Sequence, residues 1–179
     1  MFLDLLRKRR SIRQFEARPL SEGQINQMIE AVLRSPSSRG LQPWHFVVVR
    51  DPSVVEALAK AKPHGSTFVK NAPLVVVVCA DPSISDMWVE DCSIASLQLH
   101  LVTTDMGLGS CWVQIRKRDH DEDLSAEEYV ARLVGLPDGF RVEAMVAIGY
   151  PAKIPPGRAR ETLLYERLHY EKFVQEKTE

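Results

Sequence analysis

The chain has few cysteines and no signature of a metal site. Its three cysteines, Cys79, Cys92 and Cys111, are an odd number and lie far apart. Their apolar neighbours predict burial, where a free cysteine behaves as a small hydrophobic residue. Neither these cysteines nor the five histidines have the spacing of metal ligands. The absences disfavour a disulfide framework and a metal centre, and they leave a catalytic cysteine–histidine pair as a minor alternative.

Charge of one sign and long apolar runs are also missing. Lys and Arg total 23 and Asp and Glu total 24, so no global field attracts nucleic acid or an anionic membrane. No apolar run approaches the roughly 20 residues that a membrane-spanning helix needs. The first residues place their charges after a very short apolar stretch, which is the wrong order for a signal peptide. The expected protein is cytoplasmic, with no nucleic-acid or membrane partner.

The chain does contain a mixed succession of helix and strand patterns. Ser21 caps a predicted helix that Pro36 ends, and residues 74–80, apolar on both faces, predict a covered central strand. Further strands are predicted at 44–49, 110–115 and 142–148, and further helices at the N-terminus, at 52–60 and at 125–134. No Gly-x-Gly-x-x-Gly follows a strand, which disfavours a doubly wound sheet. The order favours one α+β sandwich domain over residues 1–179.

Two segments cannot bury themselves within one small domain. Residues 86–106 predict a helix about 30 Å long, with apolar residues over most of its circumference. Such a helix must be buried by more than one sheet face. The tail, residues 151–179, has little apolar content before Leu163. Both features predict a homodimer in which the tail embraces the partner subunit.

Two polar segments are candidates for ligand binding in the first quarter of the chain. Residues 9–13 place three guanidiniums and a hydroxyl close together, enough for several charge-assisted bonds to a phosphate. The loop at 36–42, followed by an aromatic strand, suits a planar heterocycle with polar edges. Taken alone, the first segment is also explained by a solvated helix end and the second by an ordinary connection.

Two later segments carry weaker signals. Residues 107–114 begin Gly-Leu-Gly, which lets a backbone approach a ligand closely. A helix stop before a strand explains these glycines almost as well. Arg158 and Arg160 add two cations in the tail, where an arginine is usually solvated.

Taken together and in order, these segments resemble one known family. RRSIRQF, PSS-x-x-x-QPWHF, the long apolar helix, GLGSCWV and a strand ending AIGYPA are similar to the nitroreductase family of FMN-dependent oxidoreductases. The resemblance runs from residue 3 to about residue 173. It implies an α+β, nitroreductase-like sandwich with a central mixed or antiparallel sheet flanked by helices. It also implies an intertwined homodimer with two FMN molecules at its interface.

The resemblance further implies a cofactor site. A positive charge near the pyrimidine edge of the ring, from Arg13, would stabilise the negative charge of the reduced flavin. The phosphate and ribityl chain would be anchored by Arg9, Arg10 and Ser11. The other implied FMN contacts are Ser37, Ser38 and Gln42 from the partner subunit, Trp112, Val113 and Gln114 near ring atom N5, and Arg158 and Arg160 at the phosphate. No catalytic side chain and no metal are implied.

The implied activity is hydride transfer through the flavin, from NAD(P)H as co-substrate to nitroaromatics, quinones or related small oxidants. A non-catalytic flavin-binding carrier, sensor or dimeric scaffold is the alternative, because phosphate anchors serve both. Arg13 favours the enzyme, since a cation at the ring edge mainly serves reduction. Gly40 stands where many family members have asparagine, so one polar contact to the ring is expected to be missing or replaced.

Overall fold

The computed structural model describes residues 1–173 as an α+β sandwich around one antiparallel sheet. The strands are β1 (Trp44–Val49), β2 (Leu74–Ala80), β3 (Gly109–Gln114) and β4 (Arg141–Gly149), in the order β1-β2-β4-β3. The helices are α1 (Phe2–Lys8), α2 (Glu22–Leu33), α3 (Pro52–Leu58), α4 (Trp88–Asp105) and α5 (Ala126–Val134). The predicted elements are confirmed, with ends shifted by one or two residues. Residues 174–179, the end of the expected tail, lie outside the described residues.

Each face of the sheet carries its own hydrophobic core. Along β2, Val75 and Val77 pack with α3 and α5, whereas Val76 and Val78 pack with α2 and α4. All seven residues of β2 are buried. The prediction of a strand covered on both sides is therefore confirmed for residues 74–80.

The helix caps agree with the local sequence. Ser21 accepts from the main-chain N–H of Gln24, and the Gln24 side chain reaches back, so a capping box begins α2. A second capping box, between Ser125 and Glu128, begins α5. Gly135 ends α5 with φ 67°, in the left-handed region that glycine adopts without strain.

The surface formed by α1 and α4 remains apolar in the single chain. Helix α1 buries no residue, and Phe2 is 64% exposed. On α4, Ile94 and Leu97 are 42% and 51% exposed, while polar residues such as Thr103 face the sheet. No helix among residues 1–173 is long and apolar enough to cross a membrane. The expected full burial of the long helix is thus not achieved by one chain.

The tail lies over the surface without a core of its own. From residue 152 to residue 173 every residue is exposed, including Leu168, Tyr170 and Phe173 at 61%, 79% and 77%. Its start is anchored to the domain, because Pro151 bridges Phe15 and Ala152 N donates to Gln14 O at 2.9 Å. The tail therefore leaves the domain from a fixed point.

Candidate functional site

The basic segment at residues 9–13 lies along the outer edge of β3. Ser11 bridges Ser110 in parallel, and Ile12 N donates to Ser110 O at 2.9 Å. Gly109 permits this approach, because a Cβ at that position would lie 2.6 Å from Ile12 Cγ1. Buried Ile12 thus holds residues 9–13 against β3, whereas the Arg13 side chain is exposed.

Three cations at this edge, here called the cation cluster, lie close enough to the buried thiol of Cys111 to affect its pKa. Burial raises the pKa of Cys111, whereas the charges of Arg13, Arg9 and Lys62 and a hydrogen bond with Ser11 lower it. Across residues 1–173, none of these three cations forms an ion pair with a carboxylate. The edge therefore carries positive charge that the described chain does not neutralise.

Lys62 is a member of this cluster that sequence reasoning missed. Its pKa is lowered by burial and by the nearby charge of Arg118. The Arg13 Cζ atom lies 5.8 Å from the centroid of the Phe68 ring, so the segment that follows Lys62 runs beside Arg13. No motif marks Lys62, because only the tertiary fold brings it to residues 9–13.

Main-chain donors lie at the same edge of β3. Ile115 N donates to Glu143 O, so alternation along the ladder turns the N–H of Val113 toward β4. The same alternation turns the N–H groups of Trp112 and Gln114 outward, where no further strand of the described chain pairs with them. The side chain of Val113 lies in the core. Of the three predicted contacts here, Trp112 and Gln114 thus present free backbone donors.

Arg10 points toward the tail rather than toward Cys111. Its Nε donates to Pro156 O at 3.1 Å, and another of its nitrogens donates to Arg9 O. Arg158 and Arg160 follow in the exposed tail, and neither forms an ion pair within residues 1–173. The structure therefore separates Arg10 from the Arg9 and Arg13 side of the segment.

The predicted serine loop lies at the opposite edge of the sheet, before β1. Ser37 Oγ accepts from Gln42 N at 2.9 Å, and Ser38 N donates to Asp91 Oδ1 of α4 at 2.8 Å. Gly40 has φ 68°, in the left-handed region that glycine and asparagine adopt most readily. Glycine at position 40 therefore adopts this conformation without strain.

The structure does not bring the two predicted halves of the site together in one chain. Strands β1 and β3 are the two outer strands, separated by three inter-strand spacings. At ~4.8 Å each, the separation is about 14 Å, and the packed strands β2 and β4 fill it. Within residues 1–173, the two predicted halves of the site therefore do not line one common pocket.

A buried histidine lies next to the cation cluster. His100 Nδ1 is 2.7 Å from Ser110 Oγ, which in turn is 2.9 Å from Thr103 Oγ1. Burial, together with the charge of Arg9, lowers the pKa of His100 to about 4. The imidazole is thus neutral near pH 7 and adds no charge to the site.

The cysteines have the predicted environment. All three are free and buried, and burial raises the pKa of Cys79 to about 12. Each of the three thiols donates to a main-chain carbonyl, Cys79 to His45 O, Cys92 to Cys79 O and Cys111 to Trp112 O. The same part of the chain holds no group of three side chains suited to a metal ion.

The chain is an α+β sandwich with a cationic, donor-rich sheet edge, and comparison with known proteins identifies its family. The sequence model of the nitroreductase family matches residues 6–64 and 60–150. An FMN-dependent nitroreductase from Clostridium difficile R20291 has a similar structure, with a TM-score of 0.94 and 35% identity, over 96% of this chain and 99% of that one.

Two curated relatives, whose names pair NADH dehydrogenase with NAD(P)H nitroreductase, show the same similarity. One from Methanothermobacter thermautotrophicus is 33% identical over 174 residues, 96% of this chain and 87% of the relative. One from Archaeoglobus fulgidus is 37% identical over 153 residues, 83% of this chain and 84% of the relative. The chain belongs to the nitroreductase family, as its motifs predict.

Proposed function

We propose that the chain is a homodimeric, FMN-dependent oxidoreductase that uses NAD(P)H to reduce small oxidants such as nitroaromatics or quinones. Membership of the nitroreductase family and the similarity to an FMN-dependent relative support the cofactor and the reaction class. The observation that carries the proposal is the set of unneutralised cations around Cys111, next to outward main-chain donors. That donor set suits an anionic ligand with hydrogen-bond acceptors along one edge.

The residues at the β3 edge fit FMN in chemistry. Arg9 and Ser11 provide a charged and a hydroxyl donor for a phosphate and ribityl chain. Arg13 and Lys62 would provide fixed positive charge for a ring edge that gains negative charge on reduction. Bound FMN would supply the hydride chemistry between NAD(P)H and the oxidant. The protein then needs no side-chain nucleophile, and its own residues bind, orient and stabilise charge.

The serine loop completes the proposed site from the partner subunit. In one chain, Ser37, Ser38 and Gln42 lie at the β1 edge, across the sheet from Arg9 and Arg13. The exposed apolar surface of α1 and α4 and the apolar end of the tail offer the area that a dimer would bury. Obligate dimers commonly bury more than about 2,000 Å² in total. In this proposal, Arg158 and Arg160 contact the phosphate from the tail.

Purification followed by a redox assay tests the proposal. The protein should be yellow, release FMN rather than FAD on denaturation, and oxidise NADH or NADPH when a quinone or nitroaromatic oxidant is present. Turnover distinguishes the enzyme from a carrier, sensor or scaffold, which would hold flavin without reaction. Bound FAD, or no affinity for added FMN, would contradict the cofactor assignment. The three buried free cysteines are compatible with a reducing, cytoplasmic setting.

A further inference from the structure

The serine loop at residues 37–42 holds an unfavourable backbone conformation. Arg39 and Gln42 have φ values of 54° and 50°, in the left-handed region that residues with side chains rarely adopt. Each such residue costs on the order of 1 kcal/mol, and the conformation persists only where surrounding contacts hold it. The loop therefore needs anchors outside itself.

The main anchor is a carboxylate from α4. Asp91 is only 2% exposed, and its Oδ1 accepts from Ser38 N at 2.8 Å. Its Oδ2 is buried without any hydrogen-bond partner among the described residues, and no ion pair within residues 1–173 includes Asp91. A buried, unpaired carboxylate is costly, and the first turns of a helix offset only part of that cost.

The bond from Asp91 occupies the main chain of Ser38 and leaves the Ser38 hydroxyl free. Nearby, Ser37 Oγ is already engaged as an acceptor by Gln42 N. The Asp91 carboxyl on helix α4 thus holds the main chain from which the Ser38 side chain projects. The same loop has a second link to the start of α4, an ion pair between Arg39 and Asp86, but both side chains are mostly exposed.

We propose that Asp91 is a positioning residue for the cofactor site: its buried carboxylate holds the strained loop so that the Ser38 hydroxyl meets the FMN of the partner subunit. This inference rests on the proposed function. It gives α4 two roles, one in the dimer surface through Ile94 and Leu97 and one in the cofactor loop through Asp91.

The first test measures FMN affinity of the full-length dimer for three variants. Asp91→Ala should raise the FMN dissociation constant about ten- to a hundredfold, the range expected for a hydrogen bond to a charged group. Asp91→Asn keeps an acceptor for Ser38 N and should stay within about fivefold of the parent. Asp86→Ala, the matched control, should change it less than about twofold, because exposed ion pairs contribute little.

The second test is a double-mutant cycle with Ser38→Ala, which retains the main-chain N–H but lacks the hydroxyl. If Asp91 acts by aiming that hydroxyl, Asp91→Ala should cost much less affinity in the Ser38→Ala background than in the parent. A merely structural role predicts additive effects on affinity. It also predicts a lower melting temperature with unchanged FMN affinity of the folded dimer, and either result would overturn the inference.

FMN binding by the parent protein distinguishes the proposed function from the role of Asp91. A parent protein that binds no FMN would reject the proposed function itself. A parent that binds FMN, with an Asp91→Ala variant that binds it equally well, would reject only the role of Asp91.

Discussion

The two edges of the sheet carry opposite chemistry. At the β3 edge, Arg9, Arg13 and Lys62 lie near Cys111 and form no ion pair within the described chain. At the β1 edge, the serine loop offers hydroxyls and is anchored by Asp91. The cations of the β3 edge can attract an anion, whereas the hydroxyls of the β1 edge can orient one through hydrogen bonds. Neither edge forms a closed site, and the packed sheet keeps the two apart, which is why the dimer is central to this account.

We expect the largest effect from a substitution in the apolar α4 surface, which would form the dimer interface and so bring the two edges together. Leu97→Glu places a charge on the exposed apolar surface of α4 without entering the core of its own chain. We expect the dimer to weaken by at least about a hundredfold, because a buried unpaired charge costs several kcal/mol, and FMN to be lost with it. Sedimentation and flavin absorbance measure both. Arg132→Glu, an exposed charge change on α5, is the control, and a stable flavin-loaded monomer would contradict the prediction.

A steric change at the β3 edge should be next in size. In Gly109→Ala the new Cβ meets Ile12 at 2.6 Å, so Ile12 and the basic segment must move. Such overpacking typically costs about 1–3 kcal/mol of stability, and FMN affinity should fall with it. Gly23→Ala in α2 is the matched control, since its Cβ would meet only Ser21 Oγ at 4.0 Å. Thermal melts and FMN titration of both variants make the comparison; equal behaviour would show that the close approach of Ile12 is unimportant.

Substitutions of two neighbouring arginines should differ in their effect on FMN affinity. Arg9→Ala should weaken FMN binding about ten- to a hundredfold, because it removes charge-assisted bonds. Arg10→Ala should weaken it less, since Arg10 binds the tail at Pro156 O, and should instead loosen the tail. FMN titration and limited proteolysis of the tail separate the two effects. Greater loss of FMN affinity in Arg10→Ala would show that Arg10 turns to the phosphate when FMN binds.

The pH dependence of stability is expected to depend on the neutral histidine beside Arg9. The pKa of His100 is about 4 in the fold against 6.5 for an ordinary histidine, so the unfolded chain binds more protons between these values. The contribution of neutral His100 to the free energy of unfolding is therefore complete above about pH 6.5. It falls by about 1 kcal/mol per pH unit as the pH drops toward 4. Denaturant unfolding at several pH values should show this slope and its reduction in His100→Gln. Exposed His64→Gln should retain the slope; an unchanged slope in His100→Gln would remove His100 as its source.

Elements with strong periodicity could be predicted from the sequence. β2 is apolar at every position because both of its faces are covered, and Ser21 begins α2 through purely local bonds. The long helix was also predicted, but the composition of its sheet-facing side was not, since His100 and Thr103 face the sheet while Leu97 does not. Tertiary hydrogen bonds to Ser110 explain that inversion.

The site was predictable in its motifs but not in its geometry. Lys62 joins the cluster only through the tertiary fold, and Arg10 diverges from Arg9 because the segment after α1 is not helical. Asp91 carried an available signal, an acidic residue within an apolar helix with no cation three or four residues away in either direction. Such an isolated carboxylate indicates a tertiary partner, here the main chain of Ser38.

A mixed dimer tests most directly whether each FMN site combines the β3 edge of one chain with the β1 edge of the other. One chain would carry Arg9→Ala and Arg13→Leu, and the other Ser38→Glu, whose carboxylate opposes an anionic cofactor; each homodimer should bind FMN poorly. With distinct affinity tags, the mixed dimer can be isolated and its bound FMN counted. The account predicts one tightly bound FMN per mixed dimer, since one site then combines two unaltered edges. A mixed dimer that binds FMN no better than either homodimer would contradict a site shared between two chains.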